Sequence, residues 1–68
     1  MAYPTAEQID AERQLVAEYG DPLTRSIEHT PTTYGIVALE FALEHAGLGR
    51  RRLFIRPDGT RLSWRELQ

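Results

Sequence analysis

Apolar positions in the first third of the chain recur at helical spacing, with Ile9, Leu15, Val16 and Tyr19 on one loose stripe. Ahead of that stripe, Thr5-Ala6-Glu7-Gln8 fits a capping box, in which the threonine hydroxyl accepts from the Gln8 N–H and the glutamine reaches back to the Thr5 N–H. Gly20 supplies the glycine that commonly ends a helix, so the pattern predicts a helix from Thr5 to about Tyr19. Asp21-Pro22 repeats the start signal, and Leu23 and Ile27 at i, i+4 predict a short second helix to about Glu28. Thr30-Pro31 restarts the chain again. From residue 32 to 46, Ile36, Val37, Leu39, Phe41, Leu43 and the alanines cover most of a helical circumference, which predicts a buried third helix closed by Gly47-Leu48-Gly49.

The period then changes from helical to two. Leu53-Phe54-Ile55-Arg56 and Thr60-Arg61-Leu62-Ser63-Trp64 flank Pro57-Asp58-Gly59, where proline presets a type I turn and glycine suits the left-handed position of a G1 bulge. The predicted register sets Arg56 against Thr60, Phe54 against Leu62 and Arg52 against Trp64, with Ile55 beside Arg61. A second capping box, Ser63-Trp64-Arg65-Glu66, predicts that a further helical turn docks on the body or that the natural chain runs on. The expected fold is therefore α+β: three helices followed by a C-terminal two-stranded β-hairpin, in a single domain spanning residues 1–68.

Charge sharpens this picture. The net charge of −2 hides an asymmetry: residues 1–47 carry eight acidic side chains against Arg13 and Arg25, leaving −6. Residues 48–68 carry Arg50, Arg51, Arg52, Arg56, Arg61 and Arg65 against Asp58 and Glu66, leaving +4. Such a split either meets an anionic partner or is satisfied within the molecule, one half pairing with the other. The absence of cysteine removes disulfides and thiolate ligands and favours a reducing interior. With no leader-like N-terminus and no long apolar run, the expectation is a cytoplasmic protein without a membrane span.

Candidate chemistry is sparse. Ser26 and Ser63 lie in no elbow-type glycine context, and no cysteine is present to replace them as a nucleophile. His29 and His45 lack a partner at metal spacing, and Glu40 and Glu44 at i, i+4 read as the solvated stripe of the third helix. Neither a metal nor a cofactor is expected, and the reading is a binder rather than a catalyst.

The order of elements, together with Leu23-Thr24-Arg25-Ser26-Ile27, Thr30-Pro31-Thr32-Thr33-Tyr34 and Glu44-His45-Ala46-Gly47-Leu48-Gly49-Arg50-Arg51, resembles the winged helix-turn-helix proteins over about residues 21–64. The resemblance implies duplex DNA as partner: Thr32 and Thr33 meet phosphate or base edges, Arg56 and Arg61 lie on the wing, and Arg50, Arg51 and Arg52 add phosphate contacts. Against the family pattern, Gly35, Ile36 and Leu39 stand where groove-facing polar residues belong, and Glu40 would repel phosphate.

The chain is also similar, through Met1-Ala2-Tyr3, Ala6-Glu7-Gln8-Ile9 and the late Trp-Arg-Glu-Leu run, to small tailed-phage head–tail joining proteins of the gpW kind. That likeness implies a phage-encoded subunit of a larger assembly, located in the virion. Asp58-Gly59-Thr60-Arg61-Leu62-Ser63-Trp64-Arg65-Glu66-Leu67 looks like a strand-to-helix segment of adenylate-forming enzymes, a class that needs hundreds of further residues.

Two readings follow. One is a small regulatory protein of winged-helix-like build that binds nucleic acid through its arginine-rich hairpin. The other is an interaction or assembly subunit, homodimeric or part of a larger complex, that meets a protein through the helix bearing Val37 and Phe41 and through Ile36, Leu39 and Trp64. Burial of Ile36 and Leu39 within one copy would exclude groove reading by the third helix and favour the protein partner.

Overall fold

The computed structural model describes residues 3–29, 31, 34–43 and 49–63. Among the described residues one helix, α1 (Ala6–Tyr19), is followed by four strands: β1 (Thr24–Glu28), β2 (Ile36–Leu43), β3 (Gly49–Ile55) and β4 (Arg61–Ser63). The strands form one antiparallel sheet in chain order, β1-β2-β3-β4. The expected architecture of three helices and a two-stranded hairpin, the winged-helix-like build, is therefore corrected: the second and third predicted helices are strands β1 and β2.

The reason lies in what each segment must cover. β2 is flanked on both sides, by β1 with Ile27 opposite Val37 and by β3 with Leu39 opposite Leu53. A central strand buried on both faces reads as a near-continuous apolar run, which periodicity cannot separate from a buried helix. Its alternation is real but muted. Val37, Leu39 and Phe41 point toward α1, while Ile36 and Ala38 are buried on the opposite face. β1 is an edge strand, in which Thr24 and Ile27 favour extended backbone. Its two apolar-looking anchors differ, since Ile27 packs against the core and Leu23 stays half exposed.

α1 forms as its caps predict. Thr5 is the N-cap, its hydroxyl accepting from Gln8 N–H at 3.2 Å while Gln8 Oε1 accepts from Thr5 N–H at 2.8 Å. Gly20, at φ 86°, closes the helix with its N–H on the Val16 carbonyl. The buried stripe is Gln8, Ala11 and Leu15, with Tyr19 partly buried. Ile9 lies off that stripe and is substantially exposed.

A glutamine on the core face needs partners, and it has them. Gln8 Nε2 donates to the Gly35 carbonyl at 2.7 Å and to the Ile55 carbonyl at 2.9 Å, so one side chain ties the start of α1 to β2 and β3. Thr5 adds a third tie by donating to the Pro57 carbonyl.

The last hairpin matches its expected register. Phe54 lies opposite Leu62 and Ile55 opposite Arg61, while Arg56 N–H donates to the Thr60 carbonyl. Gly59 adopts φ 90° and donates to the Arg56 carbonyl, as the turn chemistry requires. The pairing of Arg52 with Trp64 lies outside the described residues, as do the second capping box beyond Ser63, Glu44 and His45. Among the described residues no helix is long and apolar enough to cross a membrane.

Candidate binding surface on the arginine strand

β3 begins Gly49-Arg50-Arg51-Arg52, and the two-residue period of a strand divides those arginines between faces. Arg50 and Arg52 emerge on the face away from α1, and Arg51 emerges beside it. The cluster that the sequence suggests as one patch is therefore two.

On the outer face, Glu40 of β2 lies directly opposite Arg52 in register. Its carboxylate receives Arg50 Nη1 at 3.3 Å and Arg52 Nε at 3.9 Å. Glu40 is only 17% exposed, against 72% for Arg50 and 52% for Arg52, so two outward guanidinium groups share one inward carboxylate. Arg52 also lies over the Phe54 ring, 5.8 Å from its centroid. Phe54 belongs to an apolar cluster with Ile36, Ala38 and Leu62 farther along the same face.

On the helix face, Arg51 Nη1 donates to the Tyr19 hydroxyl at 3.3 Å and lies 6.0 Å from that ring's centroid. Tyr19 in turn packs its ring on Phe41. Arg61 Nη1 lies 3.8 Å from Glu18 of α1, and Arg25 of β1 holds Glu12 at 2.6 Å. Arg61 with Glu18, and Arg50 and Arg52 with Glu40, are the pairing between halves that the charge split allowed for, whereas Arg25 and Glu12 both belong to the acidic half.

Between the C-terminal half of α1 and β3–β4 runs a cleft of about 230 Å³, lined by Leu15, Glu18, Tyr19, Arg51, Leu53 and Arg61 among others. At the turn, the Thr60 side chain and backbone N–H hydrogen-bond Asp58 and hold its carboxyl below the usual range, with the Arg56 charge adding to the effect. At the same end of the sheet, the rings of Tyr3, His29 and Tyr34 meet edge to face at centroid distances of 5.2–5.8 Å.

Of the remaining candidates, Thr32, Thr33 and Trp64 lie outside the described residues. Ile36 and Leu39 are 6% and 1% exposed. They are core residues of β2, and no recognition helix exists there to enter a groove. Val37 and Phe41 are fully buried under α1. Arg56 sits at the hairpin turn, away from Arg50 and Arg52. Sequence reasoning missed Glu40 as the acceptor for two arginines and Tyr19 as the support for Arg51. Extending the strand back from Leu53 to Gly49 separates Arg51 from its neighbours by alternation, but the partners follow only once β2 and α1 are placed beside β3.

Among the described residues no group of three histidine or acidic side chains is placed to hold a metal ion. No protein-family model, curated protein or solved structure matches the chain.

Proposed function

We propose that the chain is a small non-enzymatic binding domain whose partner is a protein, met through the outer face of the sheet at Arg50 and Arg52. The observation that carries this reading is the division of the arginines between two faces, with carboxylates beside most of them. Nucleic-acid affinity comes from many phosphate contacts, about six to ten in a tight complex. Arg50 and Arg52 lie together on the outer face, and Glu40 offsets one of those charges. A protein interface needs far less charge, because a few central residues dominate its energy and arginine is enriched among them. Burial of Ile36 and Leu39 supports the same choice, since the element expected to read a groove is a central strand. Membership of a larger assembly, as a copy among copies or as an adaptor, fits a sheet whose outer strands, β1 and β4, pair with no further strand among the described residues.

A fluorescence anisotropy titration with labelled duplex DNA at two salt concentrations, run beside a peptide-display selection, tests the reading. The expected result is no salt-dependent duplex binding at micromolar protein. Peptides selected on the wild type should lose at least tenfold in affinity for the Arg50→Ala/Arg52→Ala variant. Micromolar duplex binding that weakens steeply with salt and is reduced in that variant would overturn the proposal in favour of nucleic acid.

A further inference from the structure

The cleft between α1 and the β3–β4 edge combines apolar and charged lining residues, and neither Arg50 nor Arg52 of the outer face lines it. Leu15 and Leu53 lie at its base, 2% and 6% exposed. Arg51 and Arg61 stand on its walls with Glu18 and Tyr19. Arg61 faces the Glu18 carboxylate, whereas Arg51 faces Tyr19 and has no carboxylate beside it among the described residues. The Arg51 guanidinium is positioned by the Tyr19 hydroxyl and ring. The Arg61–Glu18 contact is long, at 3.8 Å, and both side chains are about half exposed. An exposed pair of that kind contributes little stability and exchanges readily for a better-placed anion.

We propose that this cleft binds a monocarboxylate on a short apolar stem, the carboxylate between Arg51 and Arg61 and the stem on Leu15 and Leu53. Arginine suits this role because its planar fork matches a carboxylate with two parallel hydrogen bonds. The Tyr19 hydroxyl, which accepts from Arg51, still has its own proton to donate to a carboxylate oxygen. The cleft sets the size of the stem: about 230 Å³ falls below the ~300–1,000 Å³ of sites for drug-sized ligands. A stem of a few carbons fits, whether from a free aliphatic acid or from the last residue of a polypeptide. The inference is independent of the protein reading of the outer face, because a free acid would satisfy it.

The test is a ¹⁵N-correlation NMR titration of the full chain with four probes: hexanoate, hexanamide, an acetylated dipeptide ending in leucine with a free carboxylate, and inorganic phosphate. The expected result is saturable shifts at the Arg51 and Arg61 side-chain N–H groups and at Leu15 and Leu53 with either carboxylate, but not with hexanamide. Comparing the two carboxylates assigns the source, the tighter one being the natural chemistry. Arg51→Gln and Arg61→Gln should each weaken binding at least fivefold, while Arg13→Gln, on the exposed side of α1, leaves it unchanged. Equal binding of hexanamide, shifts with phosphate alone, or no shift at these residues with millimolar carboxylate would each overturn the proposal.

Discussion

Gln8 is a polar side chain on the core face of its helix, fully buried, with both amide protons and its carbonyl oxygen engaged. Replacing it with leucine keeps roughly the volume but removes a donor from the Gly35 and Ile55 carbonyls and the acceptor from the Thr5 N–H. At about 1–3 kcal/mol for each buried group left unsatisfied, Gln8→Leu should destabilise the fold by roughly 3 kcal/mol, read as a shift in the urea midpoint. Glu7, exposed one residue earlier, should tolerate the same change within about 0.5 kcal/mol. Asp58 makes a different kind of prediction. Its carboxyl is held below the ordinary range by hydrogen bonds from Thr60, so its contribution is present at neutral pH and is lost as the pH falls through the lowered folded value. Asp58→Ala should therefore melt earlier than the wild type at pH 7, with the gap narrowing near pH 2. A gap that stays constant across that range would show that the turn does not depend on the charge.

The elements differ in how plainly their sequences announce them. α1 and the last hairpin are legible because each rests on chemistry confined to a few neighbouring residues: the reciprocal Thr5–Gln8 cap, Gly20, and the Pro57-Asp58-Gly59 turn. β1 and β2 are not, because the decisive fact about them is tertiary. Ala38, Leu39, Glu40 and Ala42 favour helix locally, and Asp21-Pro22 is as good an opening for a helix as for a strand. One clue was within reach. Leu53, Phe54 and Ile55 put apolar groups on both faces of β3, and a two-stranded hairpin cannot bury both. A hairpin that small is marginal alone, and Ile36–Leu43 is the long apolar run able to widen it into a sheet with faces that can pack. The candidate site was legible only as composition: the arginines were visible, but their separation onto two faces depends on where β3 begins. If β2 is the central strand, Phe41→Ala, at a fully buried position, should cost about 3–5 kcal/mol. In a domain this small, that should abolish the cooperative thermal transition in circular dichroism.

For the whole molecule, the opposed charges of the two ends of the chain become neighbours on folding. Glu18 of α1 lies beside Arg61 of β4, and Glu40 sits between Arg50 and Arg52, while Glu12 and Arg25 pair within the acidic half. These contacts are mostly exposed, and such pairs contribute about 0–1 kcal/mol each. Stability should accordingly come from the apolar layer between helix and sheet. Raising sodium chloride from 0.05 to 1 M should change the unfolding free energy by no more than roughly 1–2 kcal/mol, measured by denaturant titration. A larger loss would mean that the ion pairs, not the core, hold the helix to the sheet.

The bonds from Gln8 and Thr5 also set an order of events in time. They close loops of 27, 47 and 52 residues, so α1 completes its set of bonded partners only once Ile55 and Pro57 are in place. A helix of 14 residues is marginal by itself in water. While it waits, α1 is a nascent segment with a cap and no core. Full anchoring of α1 therefore depends on β3, because a chain interrupted before Ile55 would lack one of the two carbonyls that hold Gln8.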